Sequence, residues 1–81
     1  PFNPSTTLRF EVAQPAEVVI KIFNAMGQYV TTLVNERANA GVYTTQWNGR
    51  DFTGRSVASG VYFARMEAAN FVGAQKLLLM K

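Results

Sequence analysis

The segment from Gly41 to Met66, GVYTTQWNGRDFTGRSVASGVYFARM, constrains the fold of this chain more tightly than any other stretch. At its start Tyr43, Thr45 and Trp47 recur at every second position, and at its end Tyr62, Ala64 and Met66 do the same. A period of two in β-branched and aromatic residues is the signature of a strand with one buried face. Between the two runs lie Asn48, Gly49, Asp51, Gly54, Ser59 and Gly60, residues that favour turns and backbone angles closed to most side chains. The segment therefore reads as two strands facing each other across a long polar loop.

The same period organises the rest of the chain. Thr6, Leu8, Phe10 and Val12 share one face of a first strand, with Thr7, Arg9 and Glu11 on the other, and Pro15 breaks it. Residues 17–23 form a second strand with Val18, Ile20 and Ile22 on one side. Its other side (Val19, Lys21, Phe23) is also largely apolar, as expected of a central strand. Residues 24–28 turn the chain, with Gly27 placed for a positive φ. A third strand follows over 29–34, a polar connection over 35–41, and a fourth strand over 42–47. Asn48-Gly49 begins a turn, and Asp51 to Gly54 fits another in which the carboxylate bonds forward to the backbone. Strand 61–68 puts Tyr62, Ala64, Met66 and Ala68 on one face; residues 70–73 turn, and 74–81 close the sheet. Six or seven short strands with turn signals at this spacing predict one all-β domain over residues 1–81, a β-sandwich of about seven antiparallel strands. Phe10, Phe23, Tyr43, Trp47 and Tyr62 are expected in the core. Phe2, Phe52 and Phe63 fall outside the inward-facing sets and are candidates for a binding patch or a neighbouring-domain contact.

Catalytic chemistry finds little footing. The chain has no His and no Cys, so Ser5, Ser56 and Ser59 lack the base that activates a hydroxyl. Glu11, Glu17, Glu36, Asp51 and Glu67 include no two placed as an acid–base pair. Asp51, with Asn48 and loop carbonyls nearby, offers calcium a single carboxylate, and the Asp-x-x-Gly spacing is explained by a turn. The reading is non-enzymatic, with no cofactor. The net charge of +3 comes from basic residues scattered along the chain, with no clustered arm for nucleic acid. No apolar run approaches the roughly 20 residues of a membrane-spanning helix. The opening Pro1, without an initiator Met, suggests a fragment or processed product of a longer protein.

Six blocks in order carry a resemblance to a known family. They are Pro1, Phe2, Asn3 and Pro4 with Ser5-Thr6-Thr7; the stretch from Ile22 through Gly27 to Gln28; Thr32-Leu33-Val34; Gly41 with Trp47, Asn48 and Gly49; Gly54-Arg55 with Ser59, Gly60, Val61 and Tyr62; and the ending Lys76, Leu77, Leu78, Leu79, Met80 and Lys81. Over essentially its whole length the chain resembles the C-terminal sorting domains of proteins exported by the bacterial type IX secretion system, which have an immunoglobulin-like fold. Asn48, often Asp in that family, and Thr45, where an aliphatic residue is usual, are small departures. The resemblance implies a non-catalytic signal at the end of a secreted or surface-bound cargo. Its partners would be the outer-membrane translocon, a surface sortase and the cargo domains fused upstream. It places recognition on Lys76 to Lys81, and the fold that supports it on Gly27, Gly41, Trp47, Gly49, Gly54, Ser59, Gly60, Val61 and Tyr62.

Two other readings compete. The fold family also resembles the immunoglobulin-like part of flagellar-hook assembly scaffolds. A structural module could then form homo-oligomers or filaments through strand edges, or by donating an arm of Pro1, Phe2, Asn3 and Pro4. A carbohydrate-binding module would need two or three aromatics aligned on one exposed face, for which Phe63 and Tyr29 are the available residues.

Overall fold

The alternating pattern becomes six antiparallel strands in the computed structural model, which describes residues 5–69 and 71–80. In chain order they are β1 (Thr6–Val12), β2 (Ala16–Asn24), β3 (Tyr29–Ala38), β4 (Gly41–Trp47), β5 (Gly60–Ala68) and β6 (Phe71–Leu79). They form a two-stranded sheet, β1-β4, and a four-stranded sheet in the order β3-β2-β5-β6. Strands β4 and β5, the two halves of the Gly41–Met66 segment, thus lie in different sheets.

Alternation decides which residues meet between the sheets. Leu8 and Val12 of β1 and Trp47 of β4 face Val18, Ile20 and Ile22 of β2, Tyr62, Ala64 and Ala68 of β5, and Leu77 and Leu79 of β6. Trp47, Ile20, Ile22, Leu79 and Val18 are the largest side chains almost wholly removed from water. Each contributes on the order of 1.5–3 kcal/mol by burial. Among the described residues no buried side-chain polar atom lacks a partner, so no unpaired side-chain group offsets that gain.

Six strands stand where about seven were expected among the described residues, and two boundaries move. The polar stretch 35–41 is mostly strand: β3 runs on to Ala38, pairing Glu36 with Val18 and Arg37 with Glu17. These polar residues sit at a sheet edge, where one side of the strand is solvated and charge is tolerated. The register between β2 and β3 shifts twice, leaving Leu33 and Val30 as extra residues on β3. Bulges of this kind re-aim side chains, and Val30 is buried. The turn expected over 70–73 is shorter, because β6 begins at Phe71 and Gly73 lies inside it, opposite Met66. A Cβ at Gly73 would stand 2.7 Å from the Phe71 ring, so the glycine reflects a close approach rather than a turn.

Phe23 is corrected as well. It lies in phase with Val19 and Lys21, on the outer face of the four-stranded sheet, and packs against Tyr29 rather than in the core. Strand β2 is nonetheless central, flanked by β3 and β5.

Truncating Trp47 to Ala removes the largest side chain of the core. The expected loss is about 3–5 kcal/mol, a large part of the stability of a small domain, measured by urea unfolding. Ala69 has a φ of +53° between β5 and β6, where an L side chain costs about 1–2 kcal/mol. Ala69→Gly is expected to raise the melting temperature.

Candidate functional site: the terminal strand and the outer aromatic face

Strand β6 pairs with β5 on one side only. Its buried side chains hold it: Leu77 lies opposite Tyr62, and Leu79 lies opposite Gly60 and against Gly49. Gly49 has a φ of +74°, and a Cβ there would sit 3.2 Å from the Leu79 side chain, so any other residue would be strained and would press on that anchor. Alternating with these anchors, Lys76, Leu78 and Met80 face solvent, with Leu78 60% and Met80 75% exposed. Near its end β6 approaches β1, where the Thr6 hydroxyl donates to the Leu78 carbonyl at 3.3 Å. Lys81 lies outside the described residues, as do Pro1, Phe2, Asn3 and Pro4.

The loop between β4 and β5 supports this strand from below. The Trp47 indole meets the Tyr62 ring edge-to-face, centroids 4.8 Å apart, joining the two sheets. Both polar ends are satisfied locally: Trp47 Nε1 donates to the Arg50 carbonyl at 3.0 Å, and the Tyr62 hydroxyl donates to the Ala58 carbonyl at 2.6 Å. Val61 is half-buried beside Tyr62, while Ser59, Gly60 and Gly41 form exposed strand entries. Gly27 and Gly54 hold positive φ in their turns, as expected.

Asp51 organises the loop. Its Oδ1 accepts from the Thr53 hydroxyl at 2.6 Å, the Thr53 amide at 2.9 Å and the Arg55 amide at 3.1 Å. The Thr53 hydroxyl bond is the main cause that holds its pKa below the usual carboxylate value; desolvation opposes it, and the Arg55 and Thr53 amides and the Arg55 charge add to the lowering. This is the forward-bonding turn read from the sequence. The described residues contain no group of three His, Cys, Asp or Glu able to hold a metal ion.

The structure also assembles something that the linear pattern did not show. Phe23 and Tyr29 meet edge-to-face at 6.3 Å, Tyr29 and Phe52 at 5.7 Å, and Phe63 stands opposite Phe23 on the neighbouring strand. Phe52 is held there by its amide, which donates to the Val30 carbonyl at 2.9 Å. Phe52 is 68% exposed, Tyr29 45% and Phe63 37%. The candidates Phe52 and Phe63 therefore belong to one aromatic row on the outer face, and Phe23 and Tyr29 complete it. The other apolar face of the second strand was the available signal; cross-strand register was the missing part.

The model of the FlgD Ig-like domain matches residues 3–71 of this chain. The chain belongs to that family. No curated protein matches it. The Ig-like assignment agrees with an antiparallel two-sheet sandwich joined by a Trp–Tyr contact. The matched span ends at the first residue of β6, so residues 72–80 of the terminal strand lie beyond it.

Asp51 has a lowered folded pKa, so its contribution to stability is complete above the ordinary carboxylate pKa. It is lost as pH falls through that value toward the folded one. Wild type should exceed Asp51→Asn in melting temperature at neutral pH, with the gap closing below about pH 4. A gap that stays constant on acidification would contradict this role.

Proposed function

We propose that this Ig-like domain is a non-catalytic C-terminal sorting module, read by the type IX outer-membrane translocon and directing a fused cargo to release or surface attachment. The observation that carries the reading is β6: a terminal strand pinned by Leu77 and Leu79, open along one edge, and presenting Lys76, Leu78 and Met80 outward. A free sheet edge offers a receptor main-chain hydrogen bonds, and alternate side chains add specificity. The order of the six sequence blocks supplies the type IX assignment, and the FlgD Ig-like family supplies the compact shape. A folded shape with a short exposed signature suits recognition of many unrelated cargoes, because nothing upstream of the domain needs to be read.

The test fuses the domain to the C-terminus of a periplasm-directed reporter in a type IX-competent host and in the same host lacking its translocon. Export is expected only in the first. Leu78→Glu alters an exposed side chain, so it should leave the unfolding free energy within about 0.5 kcal/mol of wild type while reducing export. Equal reporter signal in the medium of both hosts, or periplasmic retention of an intact folded fusion in both, would overturn the reading.

A further inference from the structure

Cross-strand register orders the outer face of the four-stranded sheet into rows. One row runs from Tyr29 of β3 through Phe23 of β2 and Phe63 of β5 to Lys76 of β6. The next runs through Thr32, Lys21, Arg65 and Ala74 on the same four strands. Lys21 therefore stands directly opposite Arg65, and Lys76 lies diagonally beside Arg65. Like charges in direct cross-strand opposition destabilise a sheet. Further along the same face the arrangement is the usual one, with Glu17 opposite Arg37. Glu67, the next outward residue of β5, is engaged with Arg65 at 3.2 Å, and this is the one ion pair among the described residues. Three exposed cations that are far apart in the sequence are thus gathered beside the aromatic row, with a single carboxylate to offset them.

From this arrangement we infer that the outer face binds an acidic polysaccharide, its sugar rings resting on the aromatic row and its carboxylates meeting Lys21, Arg65 and Lys76. Extended past Tyr29 by Phe52, the row covers about three strand spacings, roughly 15 Å, which suits a linear chain of rings. The polarised C–H groups of a pyranose favour the electron-rich face of an aromatic ring, and its hydroxyl oxygens favour the electropositive edge. Tyr29 and Phe52 are the most exposed rings of the row and lie 31° from parallel, so they share one sugar-sized surface. Phe23 stands at 70° to Tyr29. Rings crossed in this way cannot all turn their faces to a run of bases, which favours a sugar chain over single-stranded nucleic acid. The Tyr29 and Thr32 hydroxyls, bonded to each other at 2.8 Å, retain acceptor capacity for sugar hydroxyls at the border of the row. An anion set between Lys21 and Arg65 relieves their repulsion, which favours an acidic chain over a neutral one. The inference does not rest on the sorting reading, and Lys76 is the one residue that the two surfaces share.

The test titrates the isotope-labelled domain with a galacturonic acid hexasaccharide and follows amide and aromatic shifts by NMR. Saturable shifts at Lys21, Tyr29, Phe52, Phe63 and Arg65 are expected, with affinity falling as salt is raised. Phe52→Ala removes an exposed ring and should weaken binding by about three- to tenfold. Lys21→Glu sets an acid opposite Arg65, so it should raise the melting temperature while weakening binding by about tenfold or more. Movement of the two readouts in opposite directions separates a binding role from a structural one. Both variants leave Lys76 and the rest of the terminal strand intact, so the result is independent of the export assay. The proposal is overturned by an absence of saturable shifts, by binding indifferent to Phe52→Ala, or by equal binding of the neutral hexasaccharide maltohexaose. Equal binding of hexaglutamate or of a thymidylate hexamer would also overturn it, by making the face a general polyanion surface.

Discussion

The edge-to-face contact between Trp47 and Tyr62 is the joint on which the rest of the molecule depends. Trp47 ends β4 in the narrow sheet and Tyr62 lies near the start of β5 in the wide one, so their contact fixes the sheets against each other. Each ring is also tied at its polar end to a loop carbonyl. A buried indole or phenol without a partner would cost about 1–3 kcal/mol, so the long connection between the strands cannot be an arbitrary linker. Its internal bonds, centred on Asp51, keep Arg50 and Ala58 where the two rings need them. They also bring Gly49 beneath Leu79, which seats the terminal strand.

From that joint follows the division of the surface. Two strands cannot cover four, so the narrow sheet shields the core and leaves strips uncovered at the flanks. The hydrophobic core closes around Trp47, Ile20, Ile22 and Leu79, while β6 and the outer side of β1 keep unpaired edges. An edge invites pairing, and proteins that do not use one usually blunt it. Here Arg9, Glu11 and Lys76 supply charge on exposed strand faces, which discourages indiscriminate association while leaving the backbone available. A domain of this kind suits recognition by strand pairing and shape, which is what the proposed sorting role would require.

Much of this was legible in the residues. The alternation of Leu8, Phe10 and Val12 gave β1 its boundaries, and Asp51 gave its turn, because both are local statements about period or side-chain reach. The end of β3 was not legible, since Asn35, Glu36 and Arg37 have the composition of a loop and become a strand only by pairing with β2. Gly73 read as a turn for a similar reason: its cause is the Phe71 ring folded over it, two residues away but on the same face. The aromatic row was hidden for a third reason. Phe23, Tyr29, Phe52 and Phe63 come from three strands and a loop, and only register with two bulges brings them together. The terminal strand of the candidate site was visible as an apolar run, whereas the meeting of Lys21, Arg65 and Lys76 on one face depends on cross-strand register, which no local pattern encodes.

Native-state hydrogen exchange resolved by residue tests the open-edge architecture most directly. Amides of β2 and β5 and the Trp47 indole N–H should exchange only through global unfolding, while the outward-directed amides of β1 and β6 exchange orders of magnitude faster. Protection along both directions of β1, equal to that of β2, would mean that its edge is covered in solution and would contradict the architecture described.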